Sequence, residues 1–240
     1  RRHARPLRPS TMIDLQGYGW QLVEGLKMTV VVSVMAFGVS ILLGLVGATA
    51  KLSRFRVART IADTYTVVIR GVPELILLIL FYFGVTMLLQ DLVAAFGTEE
   101  RVDINPFLAG MLTIGFVYGA FATEVFRGAI LAVPKGQIEA AKACGMNDFL
   151  ILRRILLPQV WRFALPGLGN VWLVLMKATA LMSVVNLDEL ARKSQIVANN
   201  TKQHFTVFLL TAFIYLGLTA VSMLGQHLLE RRANRGVRRA

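Results

Sequence analysis

The feature that most constrains this chain is a set of span-length runs without a single charged residue. Met28 to Ala50 gives 23 uncharged residues between Lys27 and Lys51, and Ile104 to Thr123 gives another 20 between Asp103 and Glu124. About 20 apolar residues in an α-helix cross the hydrocarbon of a bilayer. Backbone placed in lipid has no water to bond, so such runs must be helices. Three more blocks complete the pattern: Tyr65 to Leu89, with Arg70 and Glu74 near its start; Phe163 to Val185, with Lys177 inside; and Phe205 to Gln226. The expected fold is an all-α integral membrane protein with five transmembrane helices. Only 17% of the residues are charged, against about a quarter in soluble domains.

The formal charge of +12 invites a nucleic-acid reading. Clustered Lys and Arg would support it, but here the basic residues flank apolar blocks, where membrane topology places them. Nucleic acid is therefore excluded as a partner. Cys144 is the only cysteine, so no internal disulfide is available, and no Cys/His spacing suggests a metal site. No internal repeat divides the spans into matching halves, which weighs against a self-contained secondary transporter. Gly115 and Gly119 form a GxxxG pair with two readings, close packing within one bundle or contact across a dimer.

Loop charge orients the spans. Residues 51–60 carry Lys51, Arg54, Arg56 and Arg59 with no acid, and 132–162 are again basic. The loop at 91–104 is acidic, the loop at 186–204 is mixed, and the tail beyond Gln226 holds five arginines. Positive charge stays cytoplasmic, so the expected orientation is N-terminus out and C-terminus in. The arginines in residues 1–11 oppose this assignment, and three basic cytoplasmic segments outvote them.

Residues 136–158, GQIEAAKACGMNDFLILRRILLP, are a polar, helix-forming interruption between apolar spans. Pro134 suits the first turn of a helix, and Gln137 to Ala143 is rich in strong helix formers. Gly145 suits the left-handed residue that ends such a helix. Asn147 or Asp148 can cap a second helix, expected to run to Leu157 and stop at Pro158. Ala140, Ala141 and Gly145 carry little bulk, so a partner can approach closely, and Glu139 offers it a carboxylate. By periodicity alone, a docking surface and an amphipathic helix lying on the membrane are equal readings.

The EAA…G…I-LP pattern formed by Glu139-Ala140-Ala141, Gly145 and Ile155 to Pro158 resembles the coupling loop of bacterial ABC importer permeases. Ile69-Arg-Gly-Val-Pro73, Gly119 to Ile130, Val133-Pro-Lys-Gly136 and Lys177 to Ser183 are similar to the polar amino acid subfamily. Within it the Q-type permeases of histidine, lysine/arginine/ornithine and opine importers are most alike, and the likeness covers nearly all of 20–235. The resemblance implies a type-1 (MetI-like) ABC permease fold in the bacterial inner membrane. It implies import of basic or polar amino acids, glutamine or glutamate being the alternative. It assigns ATPase coupling to Glu139, Ala140, Ala141, Gly145 and Pro158.

Implied partners are an ATP-binding cassette ATPase dimer, a second, M-type permease and a periplasmic solute-binding protein. No G-x-x-x-x-G-K-[ST] occurs in the chain, so ATP and Mg²⁺ belong to the ATPase and no cofactor is expected here. On this reading residues 1–11 are a non-native or disordered extension, and 12–235 are the transmembrane permease domain, with its coupling loop at about 132–160. Residues 236–240 are a basic tail.

Ionisable residues inside spans are costly and mark candidate function. Glu124 and Arg127, three apart on one helix face, are expected to pair, and Arg70 and Glu74 to brace the start of span two. Lys177 lies deeper, with Asp188 and Glu189 beyond its span. A cationic amino acid needs carboxylates for its ammonium groups and a donor for its carboxylate; Asp188 and Glu189 could serve the first and Lys177 the second. The alternative is a solvated acid pair and a snorkelling lysine. A membrane-embedded enzyme would need a nucleophile–base or metal constellation, which scattered histidines and Cys144 do not supply. An ion channel would have no need of a coupling loop.

Overall fold

The computed structural model describes residues 17–95 and 105–234. Residues 1–11, most of the acidic loop and the basic tail lie outside the described residues. Among those described there are helices and no strands: α1 (Gly19–Leu52), α2 (Arg56–Gly71), α3 (Glu74–Ala95), α4 (Pro106–Leu131), α5 (Lys135–Ala143), α6 (Asp148–Ile151), α7 (Leu157–Ala178), α8 (Leu190–Thr201) and α9 (His204–Ala233). A π-helical turn, Leu152–Leu156, joins α6 to α7, and a 3₁₀ stretch, Thr179–Val185, extends α7. Among the described residues, five helical stretches are long and apolar enough to cross a membrane: Gly19–Leu52, Glu74–Ala95, Pro106–Leu131, Asp148–Val185 and His204–Ala233.

Three boundaries differ from the sequence reading. The second span does not begin at Tyr65. Pro73 holds Val72 extended (φ −104°, ψ 140°), which ends α2 at Gly71 and separates it from α3. Pro158 does not stop a helix. It sits in the first turn of α7, where its missing N–H is tolerated. The wide turn just before it, with Leu157 N–H bonded to Leu152 O, makes room for its ring. The fourth span therefore runs unbroken from α6. Finally, the mixed loop at 186–204 contains a twelve-residue helix, α8.

The centre of the bundle is a parallel α1–α4 pair in tight contact. A Cβ built on Gly115 would meet Val39 Cγ1 at 2.6 Å, and one on Gly119 would meet Leu43 Cβ at 2.9 Å. Gly47 faces Thr123 and Gly44 faces Ala122 in the same way. The GxxxG pair thus packs α4 on α1 within this chain, and small residues on both sides let the backbones close. Buried Ser33, Thr66, Thr113 and Thr123 return their hydroxyls to carbonyls four residues back, so none of these four hydroxyls is stranded. Helix α7 packs on α4 through a cluster of Phe126, Val133, Val160 and Leu168. Helices α3 and α9 expose most of their apolar surface, Leu80, Leu88, Phe213 and Leu216 among it.

Candidate functional site

Three polar regions hold the residues singled out by sequence. The first is the α5–α6 elbow. Helix α5 ends in a Schellman arrangement: Gly145 N–H donates to Lys142 O at 2.9 Å, and Met146 N–H to Ala141 O at 3.1 Å. Gly145 has φ +76°, the left-handed conformation expected of it. Asn147, rather than Asp148, caps α6 by accepting from Leu150 N–H at 2.8 Å. Pro134 is the N-cap of α5, one residue ahead of the helix. Ala141 and Ile151 face inward, while Glu139, Ala140, Cys144 and Gly145 are exposed. Phe149 is 69% exposed, an aromatic on a polar surface that sequence reading passed over. Gln159 Nε2 donates to Gln137 Oε1 at 2.5 Å, tying α5 to the start of α7.

The second region lies where α1, α2 and α4 meet. The expected Glu124–Arg127 pair forms, at 2.8 Å. Glu124 also takes Lys51 at 2.5 Å, and Lys51 reaches Asp63 on α2 at 3.0 Å. Lys51 had read as a loop charge, because its partner is 73 residues away in sequence. Arg70 and Glu74 do not brace one another, since the break at Pro73 separates them. Glu74 accepts from Tyr118 O–H at 2.8 Å, and the Arg70 guanidinium stacks over the Phe121 ring at 5.4 Å. Lys51, Thr66, Arg70, Gly71, Phe121 and Glu124 line an open cleft of about 480 Å³.

The third region is at the opposite end of the bundle. Asp188 pairs with Arg192 at 3.1 Å and Lys193 at 3.0 Å. Partial burial would raise the Asp188 carboxyl, but Lys193 and Arg192 outweigh it and hold the group below its usual range. Glu189 is wholly buried. It caps α8 by accepting from the N–H groups of Ala191 and Arg192, both at 2.8 Å, and takes Tyr215 O–H from α9 at 3.1 Å. Thr29 of α1 accepts from Leu190 N–H at 3.1 Å beside it. Burial pushes the Glu189 carboxyl up to about 6 against those hydrogen bonds. Neither acid pairs with Lys177, which is exposed on the last turn of α7. Among the described residues, no group of three or more His, Cys, Asp or Glu could hold a metal ion.

An all-helical, multi-pass membrane bundle with an exposed helical elbow between its third and fourth spans defines a transport subunit of the type-1 ABC permease fold. The family described as the binding-protein-dependent transport system inner membrane component matches residues 40–235, and the chain belongs to that family. Its members are transport subunits and not enzymes; ATP hydrolysis belongs to a partner ATPase.

Over 223 residues the chain is 48% identical to the nopaline transport system permease protein NocQ of Agrobacterium fabrum, covering 92% of this chain and 94% of that one. It is 42% identical over 226 residues to the histidine/lysine/arginine/ornithine transport system permease protein HisQ of Salmonella typhimurium, covering 94% and 99%. A crystal structure of an amino acid ABC transporter with histidines superposes with a TM-score of 0.77 at 31% identity, covering 92% of this chain and 99% of the other. An inward-facing methionine transporter superposes at 0.73 with 20% identity over 90% and 98%, which supports the fold alone.

Proposed function

We propose that this chain is one permease of an ATP-driven bacterial inner-membrane importer for cationic amino acids or the related opines. The observation that carries the substrate class is its similarity, across nearly the whole of both chains, to permeases of nopaline and of histidine/lysine/arginine/ornithine systems. The geometry suits the role. The α5–α6 elbow presents small residues and Phe149 outward, where an ATPase can grip it through Glu139, Ala140 and Gly145. Its Gln137 is hydrogen-bonded to Gln159 of α7, which continues through a 3₁₀ stretch to Val185. A push on the elbow therefore moves a spanning helix as one body, the lever that alternating access requires. Pro158 acts at the root of that lever. ATP and Mg²⁺ reside on the ATPase dimer, and a solute-binding protein delivers substrate to the α8 end. The termini lie N-out and C-in.

One chain supplies one lever, while an ATPase pair closes as two halves, so a second permease completes a pseudo-symmetric pathway. We assign that place to a different, M-type chain. Reconstitution tests the assignment. This chain with its ATPase, binding protein and M-type permease imports labelled arginine, lysine, histidine, nopaline or octopine, and the same set without the second permease does not. Robust uptake by the reduced set would establish a homodimer, and uptake of none of these substrates by the full set would refute the substrate class.

A further inference from the structure

We infer that the groove between α1, α7 and α9 holds one anionic phospholipid of the leaflet on the elbow side. An acyl chain lies along Trp161 and Trp172, and the headgroup phosphate is held by Arg162 and Arg232. The proposed orientation enters only in making that leaflet the cytoplasmic one.

The walls are the first argument. Phe37 and Ile41 of α1, Trp161 and Trp172 of α7, and Gly225 and Leu229 of α9 line a groove of about 340 Å³. Phe37 meets Trp172 edge to face, with ring centroids 5.4 Å apart, and Trp161 stands half exposed eleven residues away. The polar groups in the groove are spoken for. Gln226 donates to Glu230 Oε1 at 2.8 Å and reaches Pro166 O at 3.5 Å, and the Ser222 hydroxyl faces Met176 Sδ at 3.8 Å. An occupant therefore meets hydrocarbon and aromatic rings, which suits an acyl chain and not a polar solute.

Depth is the second argument. Pro166 faces Gln226 and Met176 faces Ser222, so α7 and α9 run antiparallel. One turn towards the elbow from the Pro166–Gln226 contact stand Arg162 and Glu230, level with one another. On the other side of that level, Phe163 to Met176 and Phe205 to Leu229 hold no Lys, Arg, Asp or Glu. Charge thus begins at one height on both helices, with Trp161 beside it, as at the edge of the hydrocarbon. From Trp161 to Trp172 the groove runs about 16 Å at 1.5 Å per residue. One leaflet contributes about 15 Å of a 30 Å core. The groove therefore starts at the interface and ends at the midplane. Its volume over that length gives a slot of roughly 20 Å² in section, far narrower than a packed helix of about 10 Å diameter.

Charge is the third argument. Arg162, Arg231 and Arg232 stand at the mouth against one carboxylate, Glu230, which leaves two positive charges. Glu230 is taken up by Gln226, with His227 Nδ1 at 3.9 Å. Among the described residues none of the three arginines pairs with an acid, and the Arg162 guanidinium lies over the Phe163 ring at 5.1 Å. Arg162 adjoins Trp161 and Arg232 follows Leu229 by three residues, so both long side chains reach over the mouth, whereas Arg231 falls on the opposite face of α9. Guanidinium forks bind phosphate oxygens with paired hydrogen bonds. A basic pocket between spans on the cytoplasmic side fits an anionic headgroup. A zwitterionic lipid offers the same phosphate but brings an ammonium towards two arginines.

The test places the assembled complex of this chain, its partner permease and the ATPase dimer in phosphatidylcholine nanodiscs. These are doped with phosphatidylglycerol brominated on its acyl chains, or with equally brominated phosphatidylcholine. Emission from Trp161 and Trp172 is isolated by subtracting that of the complex carrying Trp161→Phe and Trp172→Phe. Brominated phosphatidylglycerol should quench it at a mole fraction at least about fivefold lower, the scale of one basic residue acting on an anionic lipid. Arg162→Gln with Arg232→Gln should erase that advantage and leave quenching by phosphatidylcholine unchanged, with the complex eluting intact on size exclusion. Gly225→Leu fills the groove without a clash, since a Cβ there meets open space, and should weaken quenching by both lipids. Equal quenching by the two lipids in wild type overturns the inference, as does an advantage that survives loss of both arginines. No quenching by either lipid also overturns it, by showing that the second permease covers the groove. Transport is not the readout, so none of these results bears on the substrate class.

Discussion

At one end of the bundle Glu139 stands exposed on a nine-residue helix; at the other, Glu189 sits wholly buried at the start of a twelve-residue one. Both are carboxylates in polar segments that interrupt apolar spans. The elbow of α5 and α6 touches the rest of the chain through few side chains, so it is free to be gripped and moved. The α8 end is locked, since Glu189 and its neighbour Leu190 draw α1, α8 and α9 together through Thr29, two backbone amides and Tyr215. A Cβ on Gly25 of α1 would meet Leu190 Cα at 2.8 Å, which shows how closely that lock is packed. A charge on a loosely held surface acts through a partner, and a charge at the meeting point of three helices acts on the fold.

The sharpest way to break this contrast is to remove each carboxylate in turn. Glu189→Ala leaves two backbone amides and the Tyr215 hydroxyl without an acceptor, at about 1–3 kcal/mol for each buried donor. Monodisperse complex should largely disappear on size exclusion. Glu139→Lys should elute and melt like wild type, as exposed substitutions usually do within about 0.5 kcal/mol, while uptake falls. Wild-type uptake by Glu139→Lys, or an unchanged melting temperature for Glu189→Ala, would undo the distinction.

Gly145→Val comes next. No atom lies within 4 Å of a Cβ at this position, so the effect is purely conformational. A branched residue forced to φ +76° costs about 1–2 kcal/mol. Uptake should drop several-fold with normal assembly and unchanged affinity of the binding protein for substrate. Gly145→Asn should be milder, because Asn visits the left-handed region more readily.

An effect of similar size is set by pH. The Glu189 carboxyl rises from 4.5 to about 6 in the fold, so its contribution is full below pH 4.5 and is lost as pH rises through about 6. The shift corresponds to about 2 kcal/mol. Glu189→Gln cannot ionise, so the stability of wild type relative to this variant should decline by about that amount between pH 4.5 and pH 7.5, read from paired melting curves. A difference that does not change with pH would mean that Glu189 titrates like an exposed acid.

The last test leaves function untouched and sharpens only which end faces which compartment. Cys144 is exposed on the elbow. With the C-terminus inside, an impermeant maleimide should miss it in intact cells and label it in inverted vesicles stripped of ATPase. Labelling in intact cells would reverse the orientation.

The five spans, the turn at Gly145 and a cap at Asn147 or Asp148 were legible from the chain because each depends on a few neighbouring residues: a run of apolar side chains, one glycine free of Cβ strain, one short polar side chain within reach of the next turn. The break before α3 was signalled by Pro73, yet the apolar run through it read as continuous. What no local rule could supply was partner choice. Glu124 and Arg127 are three residues apart and their pairing was foreseen, but Lys51 joins them from 73 residues away. Arg70 was assigned to Glu74, and the fold gave it to Phe121. Glu189 was read as a candidate substrate ligand, and the structure buries it under Tyr215, 26 residues on. Sequence alone determined that the chain has five membrane-length apolar stretches and that it turns at Gly145, since hydrophobic length and backbone strain are properties of short segments. Tertiary structure alone decided which charges are neutralised, because burial and pairing are set by segments that meet only when the helices pack.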